Sequence, residues 1–141
     1  APPIVTGALI RAARRGVRVR LLVPGRNNHP VMGFAARRIY ASLLEAGVEI
    51  YEWSGVMLHA KTAVVDGLVT LVGSSNLDPL SLRRNYELNL LVGDPETGRR
   101  MRELFANDLL GAARVDPAEW RQRPRRARIA EALATFVASL V

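Results

Sequence analysis

The chain has 141 residues, of which 49% are apolar and 23% charged; that is enough for one sizeable core and excludes wholesale disorder. It contains no cysteine, so disulfide frameworks, thiolate metal sites and cysteine nucleophiles are excluded. Twenty basic residues against thirteen acidic ones give a net charge of +7, which favours anionic partners such as nucleic acid, phospholipid head groups or phosphorylated substrates.

Residues 4–15 carry apolar positions at helical spacing, with Gly16 as the stop. VRVRLLV, 17–23, reads as a strand closed by Pro24-Gly25. After the loop RNNHP, a second helix is expected over about 31–46, again closed by a glycine, Gly47. VEIYEW, 48–53, reads as another short strand. Alternating helix and strand predict an α/β architecture, a mixed sheet flanked by helices.

LHAKTAVVD (58–66) and LVTLVG (68–73) are two β-rich runs that meet at Asp66-Gly67, a strong hairpin signal. Alternation puts His59, Lys61, Ala63 and Val65 on one face. A polar loop, SSNLDPLSLRR, then leads to a strand over 85–92. There Asn85, Glu87 and Asn89 share one face, and Tyr86, Leu88 and Leu90 the other. Residues 95–111 read as a helix with Pro95 at its start and Gly111 at its end. The tail, 117–141, holds a short helix, the run RQRPRRAR, and an apolar stripe of Ile129, Leu133, Phe136, Val137 and Leu140.

Nineteen of the twenty basic residues are Arg; the single Lys is Lys61, two places after His59. A GC-rich genome explains an Arg bias in general. A lysine kept at one position suits a compact three-donor ammonium against a phosphate. Only two histidines exist, His29 and His59, too few for a histidine-rich metal site. No stretch approaches the roughly 18–20 apolar residues of a membrane span. No signal peptide is visible and the first residue is Ala, so targeting or membrane segments are expected upstream.

The chemistry concentrates in residues 59–76, HAKTAVVDGLVTLVGSSN. His59, Lys61, Asp66, Gly73, Ser74 and Asn76 stand in the spacing H-x-K-x4-D-x6-G-S-x-N. Six specified positions make a strong pattern, whereas H-x-K alone would be worthless. Phosphoryl transfer needs a group that titrates near neutrality and donors aimed at the non-bridging oxygens. His59 meets the first need; Lys61, the Ser74 hydroxyl and the Asn76 amide meet the second. Gly73 permits close backbone approach, and the Glu87 carboxylate is placed to hold the second ring nitrogen of His59.

This pattern is the HKD motif, and the chain resembles the phospholipase D superfamily. The resemblance implies a layered α/β/α domain whose active site joins two such motifs, and it implies no metal or cofactor. One histidine attacks phosphorus to give a phosphohistidine; the other protonates the leaving alcohol. With one motif, this chain would hold half of a site. Lys61 and Asn76 would clamp the phosphate, Asp66 would organise the hairpin turn, and Glu87 would be the acidic partner. In two-motif members the second motif usually supplies the general acid, which assigns that role to His59 in a C-terminal half.

The flanks GVRVRLLVPG, LLEAGVEIYEW and GSSNLDPLSLRRNYELNLLV resemble the C-terminal half of bacterial cardiolipin synthases. That resemblance divides the chain into a catalytic half-domain, 1–116, and an Arg-rich helical tail, 117–141. It implies transfer of a phosphatidyl group between two phosphatidylglycerol molecules at the bacterial inner membrane. The expected partners are anionic phospholipid, the membrane surface and a second HKD half. Two rivals are a single-motif homodimeric nuclease acting on nucleic acid and an inactive lipid-binding half-domain.

Several residues carry a plainer explanation beside the functional one. His29 reads as a surface-loop histidine rather than a head-group ligand. Arg83 and Arg84 suit either lipid steering or a solvated turn. The five tail arginines between 121 and 128 can face an anionic membrane while the apolar stripe packs inward. For Trp53 and Trp120, core packing is the default over interfacial anchoring.

Overall fold

In the computed structural model, which describes residues 3–25, 34, 36–55, 58–76 and 85–124, the chain divides into two units. One is built from residues 3–58 together with the segment from 112 onward, the other from residues 59–111. His29, Arg83, Arg84, the start of the helix expected over 31–46 and the tail beyond 124 lie outside the described residues.

The first unit opens with helix α1, Pro3–Arg14. Its Leu9, Ile10 and Ala13 pack on the core, while Arg11 and Arg14 occupy the last turn, where the helix dipole favours cations. Gly16 and Val17 donate to the Ala13 and Ala12 carbonyls at 2.9 and 3.1 Å, a Schellman ending made possible by the positive φ of Gly16. Strand β1, Arg20–Pro24, starts later than the expected 17–23. Its pairing begins at Val19, whose carbonyl accepts from Glu49 at 2.9 Å, because β2 has no earlier residue to offer.

Of the helix expected over 31–46, Phe34, Ala36 and Arg37 are helical, Arg38 and Ile39 form a turn, and helix α2 follows over Tyr40–Glu45. Strand β2, Glu49–Trp53, runs parallel to β1 with Leu21 opposite Ile50. The core is Tyr40, Leu43, Leu44, Val48 and Ile50. Leu43 and Ile50 are fully enclosed, and burial of such side chains stabilises by about 1.5–3 kcal/mol each. On the strand's other face Glu49 is bound by Arg18 at 2.8 Å and by the Tyr51 hydroxyl at 2.7 Å.

Ala112–Arg114 adds an antiparallel strand to β2 that the sequence reading does not contain. Alanine and arginine have little strand preference, so the partner strand dictates this conformation. The next helix, Pro117–Gln122, is capped by Asp116, whose carboxylate accepts from the Ala118 and Glu119 amides at 2.6 and 3.0 Å. Those bonds hold the Asp116 carboxyl below its ordinary pKa. Trp120 stacks on Tyr40 with ring centres 5.0 Å apart, and the Arg123 guanidinium lies 4.1 Å above the indole. Trp120 is thus a packing residue of this unit.

The second unit is a three-stranded antiparallel meander, β3 Thr62–Val65, β4 Val69–Gly73 and β5 Asn89–Gly93. Asp66 and Gly67 both take left-handed φ (54° and 67°), and the Leu68 amide returns to the Val65 carbonyl at 3.0 Å. This is the hairpin that Asp-Gly predicts. Helix α3, Pro95–Leu110, follows, capped by Asp94, which accepts from the Thr97 amide and hydroxyl at 2.7 and 2.6 Å. Gly98 of this helix is buried, and a Cβ there would collide with the backbone of Gly67. That close approach ties the helix to the hairpin turn. The chain is a mixed α/β protein whose sheets carry flanking helices.

Candidate active site

Every residue of the H-x-K-x4-D-x6-G-S-x-N run falls in the second unit, at or beside one hairpin. Lys61 precedes β3, and its carbonyl accepts from the Gly73 amide at 3.0 Å, extending the ladder by one rung. Gly73 in turn pairs with Asn89. Lys61, Gly73 and Asn89 therefore form one cross-strand row, with side chains on one face. The Lys61 ammonium donates to the His59 carbonyl at 3.0 Å, so the two residues that open the motif are tied to each other. His59 itself is exposed.

Gly73 is where the strands come closest. A Cβ at this position would lie 2.6 Å from the Leu88 carbonyl oxygen and would collide with the Asn89 side chain. Beyond it the serine loop is gripped by the approach to β5. The Ser74 amide donates to the Leu88 carbonyl at 3.0 Å, and the Ser74 oxygen accepts from the Leu88 amide at 3.0 Å. The Ser74 hydroxyl donates to the Glu87 carboxylate. One residue on, Ser75 accepts from the Asn89 amide nitrogen at 2.6 Å.

These bonds explain why β5 begins at Asn89 and not at 85. Ser74 takes the Leu88 amide with its side chain, so the regular backbone ladder stops there. The structure brings Ser74 and Glu87 together directly, with the Ser74 proton directed at the carboxylate. Asn76 follows at the exposed end of the loop. Asp66 stands at the opposite end of the hairpin: the four residues of β3 separate it from Lys61, five steps of about 3.4 Å or on the order of 15 Å.

Besides the Ser74–Glu87 bond, where the sequence puts Glu87 on His59, two contacts escape the sequence reading: the grip of Asn89 on Ser75 and the approach of Gly98 to Gly67. A signal for the first is present, since Asn89 is the polar residue in the otherwise apolar run Leu88–Val92. Nothing in the sequence marks the second, because a glycine inside a helix has many explanations. Among the described residues, no cluster of three or more His, Asp or Glu side chains is arranged to hold a metal ion.

A family model described as cardiolipin synthase, phospholipase D-like domain, matches residues 2–109. Cardiolipin synthase A of Edwardsiella ictaluri is 37% identical over 134 residues, which are 95% of this chain and 28% of that protein. Cardiolipin synthase A of Yersinia pseudotuberculosis matches to the same extent. The chain thus spans little more than a quarter of the length of these curated relatives. Among solved structures, Nuc from Salmonella typhimurium, a phospholipase D family member, superposes with a TM-score of 0.74 at 21% identity, covering 82% of this chain and 75% of its own. That likeness establishes the fold, and the family model over residues 2–109 establishes the kinship: the chain belongs to the cardiolipin synthase, phospholipase D-like domain family.

Proposed function

We propose that this chain is the C-terminal catalytic half of a phosphatidyltransferase that converts two phosphatidylglycerol molecules to cardiolipin and glycerol. The observation that carries the reading is the row Lys61, Gly73, Asn89 with the Ser74–Glu87 bond beside it. It gathers the motif's lysine, glycine and serine at one end of one hairpin, next to an exposed histidine. Identity of 37% over 95% of the chain to two cardiolipin synthases favours a phospholipid over other phosphodiesters.

In this reading a histidine of a second motif, elsewhere in the full-length protein, attacks phosphorus as the bond to the first glycerol breaks. His59 gives its proton to the leaving glycerol oxygen. The neutral imidazole then takes the proton of the second phosphatidylglycerol's hydroxyl, whose oxygen displaces the histidine from phosphorus. Lys61 and Asn76 hold the non-bridging oxygens, where donors act most strongly as charge develops. The phosphodiester energy is kept in the covalent intermediate, so no nucleotide is consumed. Glu87, bonded to Ser74, is the acidic group of the site and would orient His59.

The need for a second half is consistent with the surface of the hairpin sheet. Leu88 and Leu90, which share one face, are 82% and 63% exposed, more apolar surface than an isolated domain ordinarily leaves in water. Together with the short span of the chain against its relatives, this supports a site completed by a further segment of the same protein. The enzyme would act at the bacterial inner membrane; among the described residues no helix is long and apolar enough to cross a membrane.

The test is to supply full-length protein with phosphatidylglycerol vesicles and quantify products by mass spectrometry. Equimolar cardiolipin and glycerol, lost in His59→Asn, support the reading. Phosphatidic acid in place of cardiolipin would make it a hydrolase, and cleavage of nucleic acid by a dimer of this chain would make it a nuclease.

A further inference from the structure

We propose that Asn89, outside the motif, is a positioning residue that sets the Ser74–Asn76 loop against Lys61; the inference rests on reading this site as a phosphodiester-transfer centre. Three observations converge on it. Asn89 pairs across the ladder with Gly73, whose own amide is bonded to the Lys61 carbonyl at 3.0 Å. The Asn89 side chain occupies the space that any side chain at Gly73 would need. From there its amide nitrogen reaches Ser75 at 2.6 Å.

The missing Cβ of Gly73 is therefore what lets the side chain of one strand cross over the next and hold the loop beyond it. Ser75 lies between Ser74, held by Glu87, and Asn76, the proposed phosphate donor. The loop is consequently pinned at two successive residues by two side chains of the same segment: Glu87 on Ser74 and Asn89 on Ser75. The first pin alone leaves the peptide after Ser74 free to turn. The second fixes the direction in which Asn76 leaves the sheet. Displacement of a phosphate donor by about 1 Å costs up to roughly 100-fold in rate, so a residue that touches no substrate acts on turnover through this loop.

The experiment compares wild type, Asn89→Ala, Ser75→Ala, the double variant and Ser75→Thr, all in full-length protein. Substrates are phosphatidylglycerol vesicles and bis(p-nitrophenyl) phosphate, a soluble phosphodiester. Both single variants should lower kcat by about 10–100-fold at little change in KM or melting temperature. The double variant should be no worse than either single one, because they remove the same bond. Ser75→Thr, which keeps the hydroxyl, should restore most of the rate. Full activity in Asn89→Ala, additive losses, or losses that follow the melting temperature would each overturn the proposal. Turnover of the soluble diester without cardiolipin formation would sink the lipid reading and leave this one open to the same comparison. If neither substrate turns over, calorimetric affinity for inorganic phosphate decides: about tenfold weaker in both single variants supports the role, and unchanged affinity removes it.

Discussion

Ser74 donates its hydroxyl proton to Glu87, thirteen residues downstream, while the same oxygen accepts the amide hydrogen of Leu88 at 3.0 Å. One side chain thus ends the β4–β5 ladder and locates the site's carboxylate. Removing it leaves the Leu88 amide and Glu87 without this partner. Ser74→Ala should cost about 1 kcal/mol of stability, the net worth of a partly exposed hydrogen bond, and lower transfer by far more than that loss explains. Urea denaturation alongside kcat separates the two effects; equal activity at reduced stability would confine Ser74 to the fold.

His59 and Lys61 are joined through the His59 carbonyl, which accepts from the lysine ammonium at 3.0 Å. In full-length protein, His59→Asn should abolish transfer without unfolding, since the residue is exposed. Lys61→Arg should be severely damaging although it keeps the charge, because a planar guanidinium cannot reproduce the compact ammonium. Initial rates with circular dichroism as a folding control check both. An active Lys61→Arg enzyme would remove the significance of the chain's single lysine.

Much of the second unit was legible in the sequence, because its signals are local. Asp66-Gly67 specifies the turn, Pro95 marks the start of a helix, and alternation puts His59 and Lys61 on one side. The misses share a cause. Pairing at Ala112–Arg114 is imposed by β2, the late start of β1 by where β2 begins, and the late start of β5 by the Ser74 side chain. Each depends on residues far apart in the chain, which local propensity does not see. In the site, residue types and spacing point to His59, Lys61, Asp66, Ser74, Asn76 and Glu87, and the structure places Lys61, Ser74 and Glu87 at one end of the hairpin with Asp66 at the other. Spacing could not show that Ser74 is itself the partner of Glu87, or that Asn89 holds Ser75.

Gly73 and Gly93 both lie in the hairpin sheet, yet an added methyl group meets opposite surroundings. At Gly73 it would sit 2.6 Å from the Leu88 carbonyl oxygen, backbone that cannot rotate away, and would displace Asn89. At Gly93 it would meet nothing within 4 Å. Gly73→Ala should therefore destabilise by about 1–3 kcal/mol, as overpacking does, and abolish activity by prising the loop from Lys61. Gly93→Ala should stay within about 0.5 kcal/mol of wild type. Thermal denaturation of the two variants side by side gives the comparison, and equal effects would refute the close approach at Gly73.

Glu49 supplies a pH dependence remote from the site. Hydrogen bonds from Arg18 and from the Tyr51 hydroxyl hold its carboxyl down to about 2, against an ordinary value of 4.5. A carboxyl depressed in the folded state binds its proton more weakly there than in the unfolded chain. The folded state gains stability from it above about pH 4.5, and that gain is lost as pH falls from 4.5 towards 2. Arg18 is 69% exposed, so solvent screening limits the contribution to about 1 kcal/mol. Glu49→Gln should lower stability by that amount at pH 7 and flatten the decline of stability between pH 4.5 and 2. Urea midpoints measured across that range decide it: parallel curves for variant and wild type would show that the Arg18–Glu49–Tyr51 contact contributes nothing in solution.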